Sequence, residues 1–311
     1  MSKKPALLIF ALASLMLAVP AGAITNGAPD GGEHPYVGQL FLYVPDDVDD
    51  RFDDPGSWYN CSGTLVSPTI VITAGHCTYA IGDDGTSTTD GRGDGSGGND
   101  VWLNFAEVPN YDGLPPSASY ERDENQERYE DWVDWLATQP AWHRGTAYPH
   151  LDYDNDAFFL ADLGVVVLDE PVRRSVYGEL PELRQLNPYQ TQPRNERRFT
   201  AVGYGLEKVL PIATAGGDTR RTANMMLVTL KGQIPGFDGT WAVFSANRGR
   251  THRGGTCFGD SGGPVLEAGT DTVVAVVSWG TSPNCTDNTY AYRIDQADDL
   301  NWLEDTFGVT T

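Results

Sequence analysis

Cysteine, lysine, histidine and long apolar runs are all scarce in this chain of 311 residues, and each scarcity excludes something. The four cysteines are Cys61, Cys77, Cys257 and Cys285, with no CxxC pair and no histidine-rich tract, so no metal site and no cofactor is expected. Lysine occurs only at Lys3, Lys4, Lys208 and Lys231, and Asp plus Glu outnumber Lys plus Arg by 43 to 21. A net charge of −22 lacks the basic footprint that nucleic acid or an anionic membrane requires, so neither is expected as a partner. The one long apolar run, Ala6 to Val19, comes after Lys3 and Lys4 and precedes Pro20–Ala21–Gly22–Ala23. That is the layout of an export signal, and the run is too short for a comfortable bilayer span. Residues 1–23 are therefore read as a signal peptide of a secreted, soluble protein that begins at Ile24. In an exported protein all four cysteines are expected in disulfides, and four cysteines allow three pairings.

Helical periodicity is nearly missing too. Short strand-like runs recur instead: Val37–Val44, Ser62–Val66, Ile70–Thr73, Val101–Phe105, Leu163–Leu168, Phe199–Gly205, Met225–Leu230, Trp241–Phe244 and Val273–Trp279. Two segments read as helix. Glu121 to Thr138 carries Tyr129, Trp132, Val133 and Leu136 at helical spacing and stops before Pro140, while Asp295 to Phe307 closes the chain with Leu300, Leu303 and Phe307 on one face. Asp46 to Asp54 is an acidic loop. Gly82 to Asp100 is low-complexity, and Leu206 to Thr222 reads as a loop containing Gly and Arg. Asp90, Asp94 and Asp100 offer carboxylates for calcium, but Arg92 interrupts them and no glutamate stands at EF-hand spacing.

Chemistry concentrates in Cys257–Phe258–Gly259–Asp260–Ser261–Gly262–Gly263–Pro264. Glycines on both sides of a serine weaken local structure, and are tolerated where the backbone turns tightly or its N–H groups must approach a ligand. A serine hydroxyl is a poor nucleophile without a neighbouring base. Thr73–Ala74–Gly75–His76–Cys77, at the end of a strand, supplies one. The third member of such a set is an acid that orients the histidine, and two aspartates compete for the place, Asp156 and Asp162.

Together these stretches resemble the chymotrypsin/trypsin-like serine peptidases, with histidine, aspartate and serine in the same chain order, and the resemblance runs from Ile24 almost to the C-terminus. It implies an all-β fold of two packed antiparallel β-barrels with a C-terminal helix and an inserted helix in the first half. Residues 24–170 would form the first barrel with long insertions at 82–100 and 106–150, residues 171–198 the connection, and residues 199–311 the second barrel. Asp162 fits the family pattern of Asp, five mainly apolar residues, Leu and then Glu-Pro, whereas Asp156 puts another Asp where Leu should stand. The resemblance assigns Ser261 as nucleophile, His76 as general base and Asp162 as its orienter, with the N–H groups of Gly259 and Ser261 as oxyanion hole. It implies the pairs Cys61–Cys77 and Cys257–Cys285, and a terminal ammonium at Ile24 that turns inward to Asp260. Substrate contacts fall on Gly255, Thr256, Ser278, Trp279 and Gly280. Gly255 stands where trypsin-like members carry Asp, and Val277 where acid-specific ones carry His. The resemblance thus implies an uncharged pocket for apolar or aromatic side chains, with Asp287 the one acid able to change that.

The function expected is a secreted serine endopeptidase, a monomer whose partners are protein or peptide substrates and protein inhibitors. An esterase or acyl-transferase using the same three residues is the first alternative, although its usual Gly-x-Ser-x-Gly signature is missing. A non-catalytic binding protein on a peptidase fold is the second. It predicts a lost member of the set, and none is lost.

Overall fold

A computed structural model of the chain describes residues 24–25, 27–45, 57–82, 90–120, 125–157, 160–210, 213–231, 239–245 and 254–311. The signal-peptide reading of residues 1–23 and the acidic run 46–54 lie outside them, as do residues 83–89 of the low-complexity stretch. Among the described residues no helix is long and apolar enough to cross a membrane.

The chain enters through a two-residue strand, β1 (Ala28–Pro29), and then builds a first closed barrel. Its strands are β2 (Val37–Val44), β3 (Ser57–Leu65), β4 (Ile70–Thr73), β5 (Val101–Asn104), β6 (Trp142–Pro149) and β7 (Gly164–Leu168), in the order β2-β3-β4-β7-β6-β5. All neighbours are antiparallel, and β5 returns to β2. Alternation along β2 explains why both its faces are buried. Leu40, Leu42 and Val44 point into a core with Leu65, Val71, Leu103 and Val166. Phe41 points out, beneath α1 (Asn125–Thr138), where it meets Trp132 at 5.4 Å. Each aliphatic side chain buried this way contributes roughly 1.5–3 kcal/mol. The aromatic stripe of the inserted helix is thus core: Trp132 and Leu136 pack on Trp102 and Trp142.

The second barrel consists of β8 (Arg198–Gly203), β11 (Arg221–Thr229), β12 (Trp241–Phe244), β15 (Thr289–Arg293), β14 (Val273–Gly280) and β13 (Pro264–Glu267), and β13 closes onto β8. Between β8 and β11 lies a hairpin, β9 (Leu206–Leu210) with β10 (Ala213–Gly216). β1 extends the second barrel by pairing with β11. Phe199, Phe244, Val265, Val274 and Ala291 form its core. Closure of both sheets removes the open edges that would template aggregation. The last element, α2 (Ala297–Phe307), ends at Gly308, whose φ of +68° suits a residue without Cβ. Its Trp302 reaches the first barrel, with the indole Nε1 donating to Arg92 O at 2.8 Å.

The structure adds strands that the sequence reading left unassigned, including β13 and β15, and departs from it in two further places. β6 is a barrel strand inside the stretch 106–150 that read as an insertion. Its sequence, WHRGTAYP, alternates poorly, and Gly145 is needed because a Cβ there would sit 2.6 Å from Val166. The stretch Leu206 to Thr222 is a hairpin and the start of β11, where a loop was expected.

Candidate active site

Antiparallel pairing brings the first two residues together. In the β4–β7 pair, Thr73 lies opposite Gly164, so the turn leaving β4 and the segment entering β7 emerge at the same end of the barrel. His76 sits just past β4 in a single 3-10 turn, Gly75–Cys77, and Asp162 precedes β7. The fully buried Asp162 carboxylate accepts the His76 backbone N–H at 2.9 Å and faces the imidazole Nδ1 at 3.0 Å. A carboxylate only accepts, so Nδ1 carries the hydrogen and Nε2 is left as a lone-pair acceptor. The third donor to Asp162 is the Ser278 hydroxyl, at 2.5 Å from Oδ2. Asp156 is elsewhere, exposed in a short turn, with its N–H donating to Asp154 at 2.9 Å.

Ser261 lies in the loop before β13 and is tied to both barrels. Its carbonyl accepts the N–H of Ser62 from the first barrel at 2.8 Å, and the next residue, Gly262, donates to Val277 O of the second at 2.7 Å. Gly262 has φ +75°, and a Cβ there would lie 1.9 Å from Thr73 Oγ1. No other residue fits this approach of loop to barrel. Gly259 has φ +95°. Among the described residues no acceptor engages the N–H of Gly259 or of Ser261.

Asp260 points away from the cleft and is completely buried. Its carboxylate accepts the N–H of Gly205 at 2.7 Å and that of Cys257 at 2.8 Å. Burial outweighs these bonds, with no cation set against the carboxylate among the described residues, and pushes its pKa up to about 7. Ile24 is also fully buried, and its N donates to Gly205 O at 3.2 Å, one residue's backbone away from that carboxylate.

His76 and Ser261 line one cleft of about 540 Å³, together with Thr256, Ser278, Trp279 and Gly280. The Trp279 ring stacks on Tyr290 at 4.2 Å, which fixes one wall. The disulfide Cys257–Cys285 forms another, and Cys61–Cys77 flanks His76. On the far side of Ser261 the cleft continues to Leu42, Val44, Tyr59 and Tyr79 of the first barrel. Gly255 does not line it. It stands behind Thr256, bridged to Thr25 through backbone bonds of 3.1 and 3.2 Å. Asp287 does line the cleft, with its carboxylate accepting the Thr281 hydroxyl.

Asp90, Asp94 and Asp100, the carboxylates weighed for calcium, do not form a cluster. Asp100 is engaged by Tyr129 and Arg144, Asp90 by Arg92, and Asp94 by Ser96. The only metal-type grouping among the described residues is Cys61, His76 and Cys77, and its two sulfurs are already bonded to each other.

Residues that sequence reasoning missed lie in the strands under the loop. The Ser62 hydroxyl accepts the Tyr204 N–H at 3.0 Å and donates to Gly259 O at 2.8 Å, bracing the serine loop. The Ser278 hydroxyl holds Asp162, where the sequence pattern suggested only a pocket wall. A single serine in a strand carries no local signal of either task.

The family profile described as Trypsin matches residues 129–303. No curated protein sequence matches the chain. Among solved structures, a collagenase designated HL is similar with TM-score 0.62 and 17% identity, covering 93% of this chain and 100% of its own. An inactivated protease paralogue of the scabies mite, S-D1, aligns with TM-score 0.56 and 16% identity over 93% of this chain and 99% of its own. Human heparin binding protein aligns with TM-score 0.54 and 16% identity over 92% of this chain and 97% of its own. At these identities the likeness is one of fold.

Proposed function

We propose that this chain, which belongs to the trypsin family, is a secreted serine endopeptidase in which Ser261, His76 and Asp162 act together. The observation that carries the reading is the imidazole of His76 set between a buried carboxylate and the cleft that holds Ser261. The fold alone does not decide activity, since two proteins of similar structure are named as an inactivated paralogue and as a heparin-binding protein. This chain retains all three side chains, which favours an enzyme.

In the proposed reaction His76 Nε2 takes the proton from Ser261 Oγ as the oxygen attacks the substrate carbonyl carbon. Asp162 keeps the hydrogen on Nδ1 and stabilises the imidazolium. The carbonyl oxygen becomes an oxyanion within reach of the Gly259 and Ser261 N–H groups, each worth about 3–4 kcal/mol in such sites. Collapse breaks the C–N bond, and the imidazolium gives its proton to the departing amine. A water, deprotonated by His76, then attacks the acyl carbon, the C–Oγ bond breaks, and the imidazolium returns its proton to Oγ, which releases the acid and free Ser261.

Cleavage is proposed after large apolar or aromatic residues. The cleft presents Trp279, Val277 and a disulfide, and Gly280 leaves the mouth open. Export by residues 1–23 would free Ile24, whose ammonium would enter beside Asp260 and supply a cation to a buried carboxylate that meets none among the described residues.

The test is digestion of a peptide library by protein starting at Ile24, with and without a serine-directed phosphonylating inhibitor and beside Ser261→Ala. The reading expects internal peptide bonds to be cleaved, the inhibitor to add once at Ser261, and the variant to be inert but folded. Ester hydrolysis without any peptide cleavage would favour the esterase reading instead.

A further inference from the structure

In a chain so short of cations, two adjacent arginines at the head of β11 are buried: Arg220 is 2% exposed and Arg221 is 7% exposed. Burying a guanidinium is costly unless its donors are used. Here the Nε of Arg221 has no partner among the described residues, and the donors that do bond converge on one short segment and its surroundings. Arg220 Nε donates to the Asp30 carboxylate at 2.9 Å. Its Nη1 lies 3.0 Å from the carbonyls of Val37 and Phe105 and 3.1 Å from the Tyr204 hydroxyl. Asp30 is held from its other side by His34, through N–H at 3.1 Å and Nδ1 at 2.5 Å. Arg221 Nη2 donates to Gly27 O at 2.5 Å and lies 3.5 Å from Glu207. The backbone adds register: Pro29 lies opposite Arg221, and Asp30 N donates to Arg220 O at 3.1 Å.

The clamped segment is the one that leads to Ile24. Gly27 N donates to Ile24 O at 3.0 Å, Thr25 is bridged to Gly255, and Ile24 N reaches Gly205, whose own N–H holds Asp260. A second route runs from Arg220 through Tyr204 to Ser62 and on to Gly259 O. Both routes end in the loop that carries Ser261.

We propose that Arg220 and Arg221 are positioning residues, a two-arginine clamp on residues 27–30 that keeps the Ile24 amine seated beside Asp260 and the Gly259–Ser261 loop in working geometry. The proposal rests on the reading of Ile24 as the working N-terminus. Without the clamp the segment opens more often, the amine meets solvent, and the loop relaxes.

The experiment uses protein spanning Ile24 to Thr311, as Arg220→Met, Arg221→Met and Asp30→Asn, with Arg144→Gln as a control arginine whose side chain bonds Asn99 and Asp100 instead of the segment. The readout that needs no catalysis is carbamylation of the Ile24 α-amine by cyanate, measured by mass spectrometry on a Ser261→Ala background. The clamp predicts about tenfold faster modification or more in the three variants and none in the control. In the Ser261 proteins kcat should fall about tenfold with KM within about threefold, since the loop and not the pocket is disturbed. The alkaline limb of kcat/KM should move to lower pH, because an amine seated less firmly loses its proton sooner. A free Ile-Thr-Asn amide peptide should restore part of the rate by occupying the vacated seat. Folded variants whose amine protection and alkaline limb stay within about twofold of wild type overturn the clamp. If Arg220→Met does not fold, Arg220→Lys and Arg221→Gln are measured the same way, and wild-type protection in both overturns it. A wild-type amine that is itself fully reactive overturns it too. Clamp-dependent protection in a protein that cleaves no peptide leaves the clamp standing and removes the peptidase reading.

Discussion

The hydroxyl of Ser278 and the carboxylate of Asp162 meet at 2.5 Å, across the junction of the two barrels. Asp162 belongs to the first barrel and Ser278 to β14 of the second, so this bond fixes the acid against the half of the molecule that carries Ser261. A hydrogen bond to a charged group contributes about 1.5–3 kcal/mol. Ser278→Ala should therefore lower kcat by about 10–100-fold, with a smaller change in KM. Steady-state kinetics on one peptide substrate checks this, and an unchanged kcat would show that His76 orients Asp162 unaided.

Asp162→Asn should lower kcat by about 10⁴, because an amide donates to Nδ1 as readily as it accepts and so favours the wrong imidazole tautomer. Asp156→Asn should change kcat by less than about twofold, as expected for an exposed side chain that does not line the cleft. Measured side by side on folded protein, the opposite ranking would overturn the assignment.

Legibility in the sequence divides by range. The glycines around Ser261 are visible because backbone geometry demands them: a Cβ at Gly262 would collide with Thr73. Strands with strong alternation or continuous burial, such as β2 and β7, are visible from composition alone. The inserted helix is visible because Trp132 and Leu136 repeat on one face. β6 was missed because a barrel strand with Gly145 and Pro149 satisfies its neighbours and not a local propensity. Arg220 was missed for a similar reason. An arginine beside glycines and threonines reads as solvated loop until Asp30, 190 positions earlier, is brought to 2.9 Å. Gly255 shows the limit of carrying a position across by spacing: the residue counted as the base of the pocket is turned into a bridge with Thr25.

The pocket walls lead to a prediction about substrate size. At Gly280 a Cβ would meet nothing closer than Asn288 O, at 4.0 Å, so Gly280→Val fits the fold yet fills the mouth of the cleft. Burying a Phe or Leu side chain is worth about 1.5–3 kcal/mol. The variant should lose about 10–100-fold in kcat/KM on a substrate cut after Phe while changing little on one cut after Ala. Wild-type protein should rank Phe and Leu above Arg and Glu on matched substrates. A clear preference for Arg would mean that Asp287 is released from Thr281 and enters the pocket, and Asp287→Asn should then abolish that preference.

Asp260 gives a prediction about pH. In the continuous chain its carboxyl is fully buried, and among the described residues only the N–H groups of Cys257 and Gly205 meet it. Burial raises its pKa from 3.8 to about 7. The unfolded carboxyl gives up its proton near 3.8 while the folded one keeps it to about 7, so the folded state binds more protons throughout that window. Stability from this group is complete below the unfolded value, falls as pH climbs from about 4 to about 7, and is then flat, a loss of about 4 kcal/mol in all. Freeing the Ile24 ammonium should, on the proposed reading, place a cation beside the carboxylate, favour its charged form and remove that slope. Urea unfolding between pH 4 and 8, on Ser261→Ala protein to prevent self-digestion, should show the chain extended through residue 23 losing stability with pH relative to the chain starting at Ile24. Side chains from Ile24 onward are common to both forms and cancel in the difference, while Lys3, Lys4 and the terminal amines, which do differ, stay largely protonated below about pH 7. Asp260→Asn should erase the difference, whereas parallel pH profiles for the two forms would mean that the ammonium never reaches Asp260.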